Sequence, residues 1–152
     1  MKLIYATNAR VPTEKAHGLQ IMKSCEAFAL KNVDVKLIVP SRVNTPRENP
    51  FDYYGIKKKF PIKKIFCIDL FGLSFLSKRV AFYAQSLSFS FLATLYLLPE
   101  KDKKHVFYSR DFATLFFLCL FGFAPVAEVH DYRSGSRKRA INYILRISRK
   151  II

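Results

Sequence analysis

A chain of 152 residues with a hydrophobic fraction of 51% holds one domain with a real core, which excludes both disorder and a pair of ordinary domains. Its net charge of +15, from 26 basic and 11 acidic residues, favours an anionic partner such as a phospholipid surface, a nucleic acid or a phosphorylated substrate. Three cysteines without a Cys-x-x-Cys pair and three scattered histidines exclude a disulfide framework and a local metal motif.

Only four apolar residues follow Met1-Lys2, too few for a signal peptide, so a cytoplasmic protein is expected. Those four, Leu3-Ile4-Tyr5-Ala6, have the continuous apolar character of a strand buried on both faces. Residues 7–18 are polar, contain Pro12 and Gly18, and read as a loop. From Leu19 apolar residues recur at helical spacing (Leu19, Met22, Ala27, Leu30, with Ile21, Cys25 and Phe28 widening the face), and Asn32 marks the stop. Residues 35–39 form the second strand, closed by Pro40, which completes a βαβ unit.

Residues 41–64 are irregular and rich in lysine, with a third strand predicted over 64–68. A long helix is predicted over 78–98, a fourth strand over 104–108, a helix over 111–121 stopped by Gly122, a fifth strand over 125–129 and a last helix over 137–152. The alternation predicts an α/β fold, a Rossmann-like parallel sheet of about five strands with helices on both faces and the first strand central. Residues 80–98 carry no charge, close to the ~20 needed for a membrane span. A span would put the third and fourth strands on opposite sides of the bilayer, and the segment contains Gln85, Ser86, Ser88, Ser90 and Thr94. A buried or partly interfacial helix is therefore expected.

Ligands of such sheets sit at the C-terminal strand tips. The loop after the first strand supplies Asn8, Arg10, His17 and Gly18, where a glycine allows close backbone approach and a helix N-terminus favours an anion. An ordinary turn explains the same residues. The single glycine does not make a dinucleotide fingerprint. At the fourth strand's tip Arg110 can clamp a phosphate or carboxylate through its planar fork, and Asp111 is expected to cap the next helix. The fifth strand carries Glu128 and His130 on one face, with Asp131 beyond. A histidine or arginine is expected to partner Glu128. His130 is a candidate donor to a substrate hydroxyl or carbonyl, and equally a candidate structural histidine.

The run from Ala16-His17-Gly18-Leu19-Gln20 through Ala27-Phe28, followed by Val33-Asp34-Val35-Lys36-Leu37-Ile38-Val39-Pro40, resembles the opening of family-four glycosyltransferases of the two-domain GT-B architecture. Tyr108-Ser109-Arg110-Asp111 and Val126-Ala127-Glu128-Val129-His130 resemble that family's Arg-containing strand tip and Glu-x-His strand. The resemblance covers most of the chain except residues 41–103. It implies the acceptor-side half of a retaining sugar transferase that uses a nucleotide-sugar co-substrate, with no metal and no other cofactor. His17-Gly18 would lie against the donor phosphates, and His130 would face the transferred sugar as the catalytic group. The family's donor site carries two glutamates eight positions apart. Glu14, Glu26, Glu48, Glu100 and Glu128 include no such pair. The expectation is therefore a domain at 1–136, a basic helix at 137–152, and a donor-binding domain or partner subunit that is absent from this sequence and without which little sugar is transferred.

After Asp131 no acidic residue occurs, while Arg137, Lys138, Arg139, Arg146, Arg149 and Lys150 line a helical pattern with an apolar stripe. Such a helix suits an anionic membrane surface, and a lipid-linked acceptor would suit the resembled family. A solvated face of an ordinary surface helix gives the same pattern. The alternative function is a non-enzymatic basic module that holds anionic lipid or a donor-domain partner. Nucleic-acid binding is not expected, because no recognisable module interleaves the basic residues with aromatics.

Overall fold

The computed structural model describes residues 1–42, 47–71 and 77–128. Five parallel strands form one sheet in the order β3-β2-β1-β4-β5, where β1 is Lys2–Ala6, β2 Asp34–Pro40, β3 Ile62–Ile65, β4 His105–Ser109 and β5 Val126–Ala127. The expected α/β Rossmann-like class and the central first strand are both present. The chain leaves β1 toward β2 on one side and returns to β4 on the other, so the strand order reverses between β1 and β4.

Helix α1 (Ala16–Leu30) covers one face of the sheet, over a core of Tyr5, Ile21, Met22, Cys25, Leu37 and Val39. The short helix α2 (Pro50–Tyr53) and the turn after it close that layer with Tyr54, Ile56 and Phe60. Helix α3 (Lys78–Leu97) and α4 (Phe112–Leu120) cover the opposite face, where Ile4, Ile38, Phe89, Leu97, Phe107 and Leu118 pack. Both α1 and α4 end in the same six-residue closure. Asn32 and Gly122 adopt positive φ, Val33 N–H donates to Phe28 O, and Phe123 N–H donates to Leu118 O.

Several boundaries and faces differ from the expectations. Helix α1 begins at Ala16, three residues before Leu19, and its buried side is Gly18, Ile21, Met22, Cys25, Glu26 and Ala29. Leu19, Phe28 and Leu30 point outward instead. The face is set by a polar anchor: Glu26 accepts from the Lys57 and Lys58 backbone N–H groups and from Lys23 Nζ. The lysine bond, and after it the Lys57 N–H, hold the Glu26 carboxyl below the usual carboxylate range. Strand β3 starts two residues early, because Leu37 N–H donates to Pro61 O and fixes the register there. The 78–98 segment is a crossover helix of the sheet. Although α3 with the turn after it is long and apolar enough to cross a membrane, the strands flanking it lie in the same sheet. Its Gln85, Ser90 and Thr94 are fully buried against that sheet and α4.

Candidate functional site

The C-terminal ends of β1 and β4, where the strand order reverses, open the crevice in which such sheets place ligands. Four chain segments meet there: the tip of β1 with Thr7 and Asn8, the tip of β4 with Arg110 and Asp111, the N-terminal end of α1 with His17 and Gln20, and Glu128 just past β5. Register brings Glu128 into place, because its N–H donates to Ser109 O.

Glu128 is the centre of one cluster. Its Oε2 accepts from Tyr108 Oη at 2.8 Å and Tyr5 Oη at 3.1 Å, and its Oε1 accepts from Gln20 Nε2 at 3.4 Å. Gln20 Oε1 in turn accepts from Arg110 Nη1 at 3.4 Å. The two tyrosines stand opposite each other on β1 and β4, with ring centroids 4.7 Å apart and planes perpendicular. Burial, and then the hydrogen bond and charge of Glu128, push the Tyr108 phenol up to about 12, and the Tyr5 phenol higher still through burial and the Glu128 charge. Both hydroxyls therefore stay protonated and donate to the carboxylate.

Asp111 is the centre of the other. It occupies the N-cap position of α4, yet its side chain makes no cap bond. Instead its Oδ2 accepts the Asn8 backbone N–H across the crevice. The Asn8 side chain is fixed from below by Gln85 of α3, Nε2 to Oδ1 at 2.6 Å. Burial raises the Asp111 carboxyl above its ordinary range, against the opposing influence of the Asn8 bond, the Thr7 hydroxyl and the charges of Arg110 and His17. The Thr7 hydroxyl favours the charged form by proximity without reaching hydrogen-bond geometry. The neighbouring His17 is held below its ordinary value by burial, then by Arg110 and Lys15, with Asp111 pulling the other way. At neutral pH His17 is thus an uncharged imidazole beside the Arg110 guanidinium and the Asp111 carboxyl.

Cations and acids alternate along the rim, with Arg10, Lys15 and Arg110 set among Glu14, Asp111 and Glu128. Arg110, Lys15 and Arg10 all act on His17, and the first turn of α1 carries neither an acidic residue nor a side-chain cap. Arg10 is partly engaged by Glu14 at 3.4 Å. Such an edge can hold a phosphate or carboxylate on N–H donors, while Glu128 and Asp111 supply acceptors for hydroxyl groups.

Of the residues singled out from sequence, Asn8, Arg10, His17, Arg110 and Glu128 lie at this edge. Gly18 is adjacent, but the space of its missing side chain is taken by this chain's own atoms. An added Cβ would lie 2.3 Å from Tyr54 Oη and 2.5 Å from Thr13 Cγ2. Asp111, expected as a cap, is a crevice group, and among the described residues Glu128 is bonded by two tyrosines and a glutamine. His130, Asp131, Arg137, Lys138, Arg139, Arg146, Arg149 and Lys150 lie outside the described residues. Tyr5, Tyr108, Gln20 and Gln85 were not foreseen. Only the strand register reveals that Tyr5 faces Tyr108, and Gln85 stood out merely as a polar residue in an apolar run.

Among the described residues no three His, Cys, Asp or Glu side chains are grouped to hold a metal ion. The three thiols, Cys25, Cys67 and Cys119, are buried and free, and burial raises all of them. An open depression at the opposite, N-terminal edge is lined by Lys2, Asp34, Glu100 and His105. It lies away from the strand tips, and Glu100 is engaged there by Lys103 and His105. Compared with protein-family models and with curated proteins, the chain matches neither.

Proposed function

We propose that the β1–β4 crevice is the acceptor-side wall of a sugar-transfer site that works with a nucleotide-sugar donor. The observation that carries this reading is the meeting of His17, Arg110 and Glu128, from segments far apart in the chain, at the point where strand order reverses. The resemblance to family-four glycosyltransferases rests on these same positions. In this reading Arg110 and the open first turn of α1 hold phosphate oxygens. Neutral His17 and the Glu128–tyrosine cluster orient sugar hydroxyls, and His130 approaches the transferring carbon. The donor nucleotide is bound by a second body, continuous with this chain or separate from it, because transfer requires groups on both sides of the reacting bond.

The test is titration calorimetry of the full chain with a short alkyl diphosphate-linked sugar as acceptor analogue. Arg110→Ala and Glu128→Gln are each expected to weaken binding at least tenfold, about 1.4 kcal/mol, while melting cooperatively. Undiminished binding in both variants overturns the reading. With a donor-binding half supplied, sugar turnover is expected to fall in His130→Ala, and full activity there removes His130 from the reaction.

A further inference from the structure

Helix α3 is built with its polarity reversed. Its buried side carries Gln85, Ser86, Ser90 and Thr94 between Ala81, Phe89, Ala93 and Leu97. Its outward side carries large apolar and aromatic groups, including Tyr83 at 61% exposed, Val80 at 52%, Phe82 at 50% and Leu87 at 48%. An ordinary surface helix does the opposite. Three of the inward polar side chains bond within the fold: Gln85 Nε2 to Asn8 Oδ1 at 2.6 Å, Ser90 to Thr114 at 3.0 Å, and Thr94 to Ser90 O at 2.8 Å. The outward groups continue onto α4, where Phe91 meets the rings of Phe117 and Phe121 and where Phe112 and Leu120 are exposed. A contiguous apolar surface of this kind marks an interaction site.

We propose that this face of α3 and α4 docks on an anionic lipid bilayer, with α3 lying in the plane of the headgroups. Charge decides the occupant. Neither helix carries an acidic residue, and cations stand at both ends of α3. Lys78 and Arg79 are exposed in its first turn. Near its last turn Lys36 bonds the Tyr96 hydroxyl at 2.7 Å, and Lys63 stands over the same ring. Apolar and aromatic groups flanked by cations, on a helix of about 30 Å, match an acyl boundary beneath anionic headgroups. A second copy would bring two chains of charge +15 together, rim cation against rim cation. Docking here does not depend on the sugar-transfer reading, though the Gln85–Asn8 bond places the α3 N-terminal half directly behind the candidate site.

The chain contains no tryptophan, so Tyr83→Trp installs a sole reporter on this face. With vesicles of phosphatidylglycerol and phosphatidylcholine, its emission is expected to shift to the blue and to be quenched by lipids brominated in the acyl chain. Phosphatidylcholine alone is expected to bind at least tenfold more weakly. A triple variant, Val80→Gln with Phe82→Gln and Leu87→Gln, is expected to lose vesicle binding at least tenfold while sedimenting as a monomer. Absence of vesicle binding overturns the proposal. So does binding without a shift or quenching, which places the contact elsewhere, residues 137–152 included. So does a lipid-free dimer whose reporter is already blue-shifted. Should the triple variant fail to fold, the reporter decides alone.

Discussion

Asp111 carries a carboxyl where burial opposes its charge. A group of that kind contributes less to folding as it ionises, and perturbed carboxyls in crevices are often retained for binding. The folded chain holds its proton more tightly than the unfolded chain, whose value is 3.8, so stability falls as pH rises from 3.8 through the raised folded value. Asp111→Asn keeps an acceptor for the Asn8 N–H without the charge. It is expected to raise the melting temperature at pH 7, with the advantage shrinking toward pH 4; a lower melting temperature at pH 7 would refute this. His17 acts in the opposite sense. Its folded value is depressed, so the unfolded chain takes up the proton first, and stability is lost as pH falls below 6.5. His17→Gln is expected to flatten melting temperature against pH in that acid window and to leave it unchanged above pH 8. Tyr5 and Tyr108 show why single residues hid half the site: each is an unremarkable strand tyrosine until the register sets them on one carboxylate.

At the scale of elements, Gly18 sets how closely α1 approaches the turn after α2. Alanine in a helix is better than glycine by about 0.8–1.0 kcal/mol, which alone would make Gly18→Ala stabilising. Against it stands the 2.3 Å approach to Tyr54 Oη. That hydroxyl cannot swing away freely, since it accepts from Thr13 N and donates to Thr13 O, both at 2.7 Å. Overpacking costs about 1–3 kcal/mol, and displacing the hydroxyl adds roughly 1 kcal/mol per lost bond. Gly18→Ala is thus expected to destabilise by about 1–3 kcal/mol in urea unfolding. In a Tyr54→Phe background the share of that penalty due to the hydroxyl should disappear, while the 2.5 Å approach to Thr13 Cγ2 remains; an unchanged penalty would show that the hydroxyl contact is not the cause. Elements were readable from sequence to differing degrees. Strand and helix alternation was plain, because apolar runs and turn residues punctuate it. The face of α1 was not, because a glutamate held by backbone N–H groups from another segment overrides the apolar pattern. The reversal of α3 was not either, since a side carrying Gln85, Ser86, Ser90 and Thr94 would by pattern face water, and their bonding partners on other segments are not visible in the chain. Gln85→Leu tests that reversal: Asn8 loses its anchor, and a loss of about 1–3 kcal/mol is expected. Unchanged stability would mean that Gln85 does not hold the β1 tip.

At the scale of the whole molecule, strand order and charge act together. The alternation alone indicated a central first strand, and that arrangement carries Arg110, His17 and Glu128 to one edge; no local motif could have done so. That edge mixes cations with acids, while the molecule as a whole holds +15. Two opposing electrostatic effects follow, and their sizes can be ranked. Ion pairs at the surface, such as Lys2–Asp34 at 3.8 Å and Arg10–Glu14 at 3.4 Å, each contribute about 0–1 kcal/mol and are weakened by salt. Self-repulsion among the excess cations works against the compact state and is relieved by salt. With 26 basic residues and only 11 acidic ones, most cations have no acid to pair with, so repulsion dominates. Raising sodium chloride from about 0.01 M to about 1 M shortens the screening length from about 30 Å to about 3 Å. The melting temperature is expected to rise by several degrees over that range. Binding of a diphosphate-linked ligand to the crevice is expected to weaken over the same range, because its attraction comes from the same uncompensated charge. A melting temperature that falls with salt would mean that the ion pairs outweigh the repulsion, and the molecule's excess charge would then lose its claim to draw an anion to the crevice over long range.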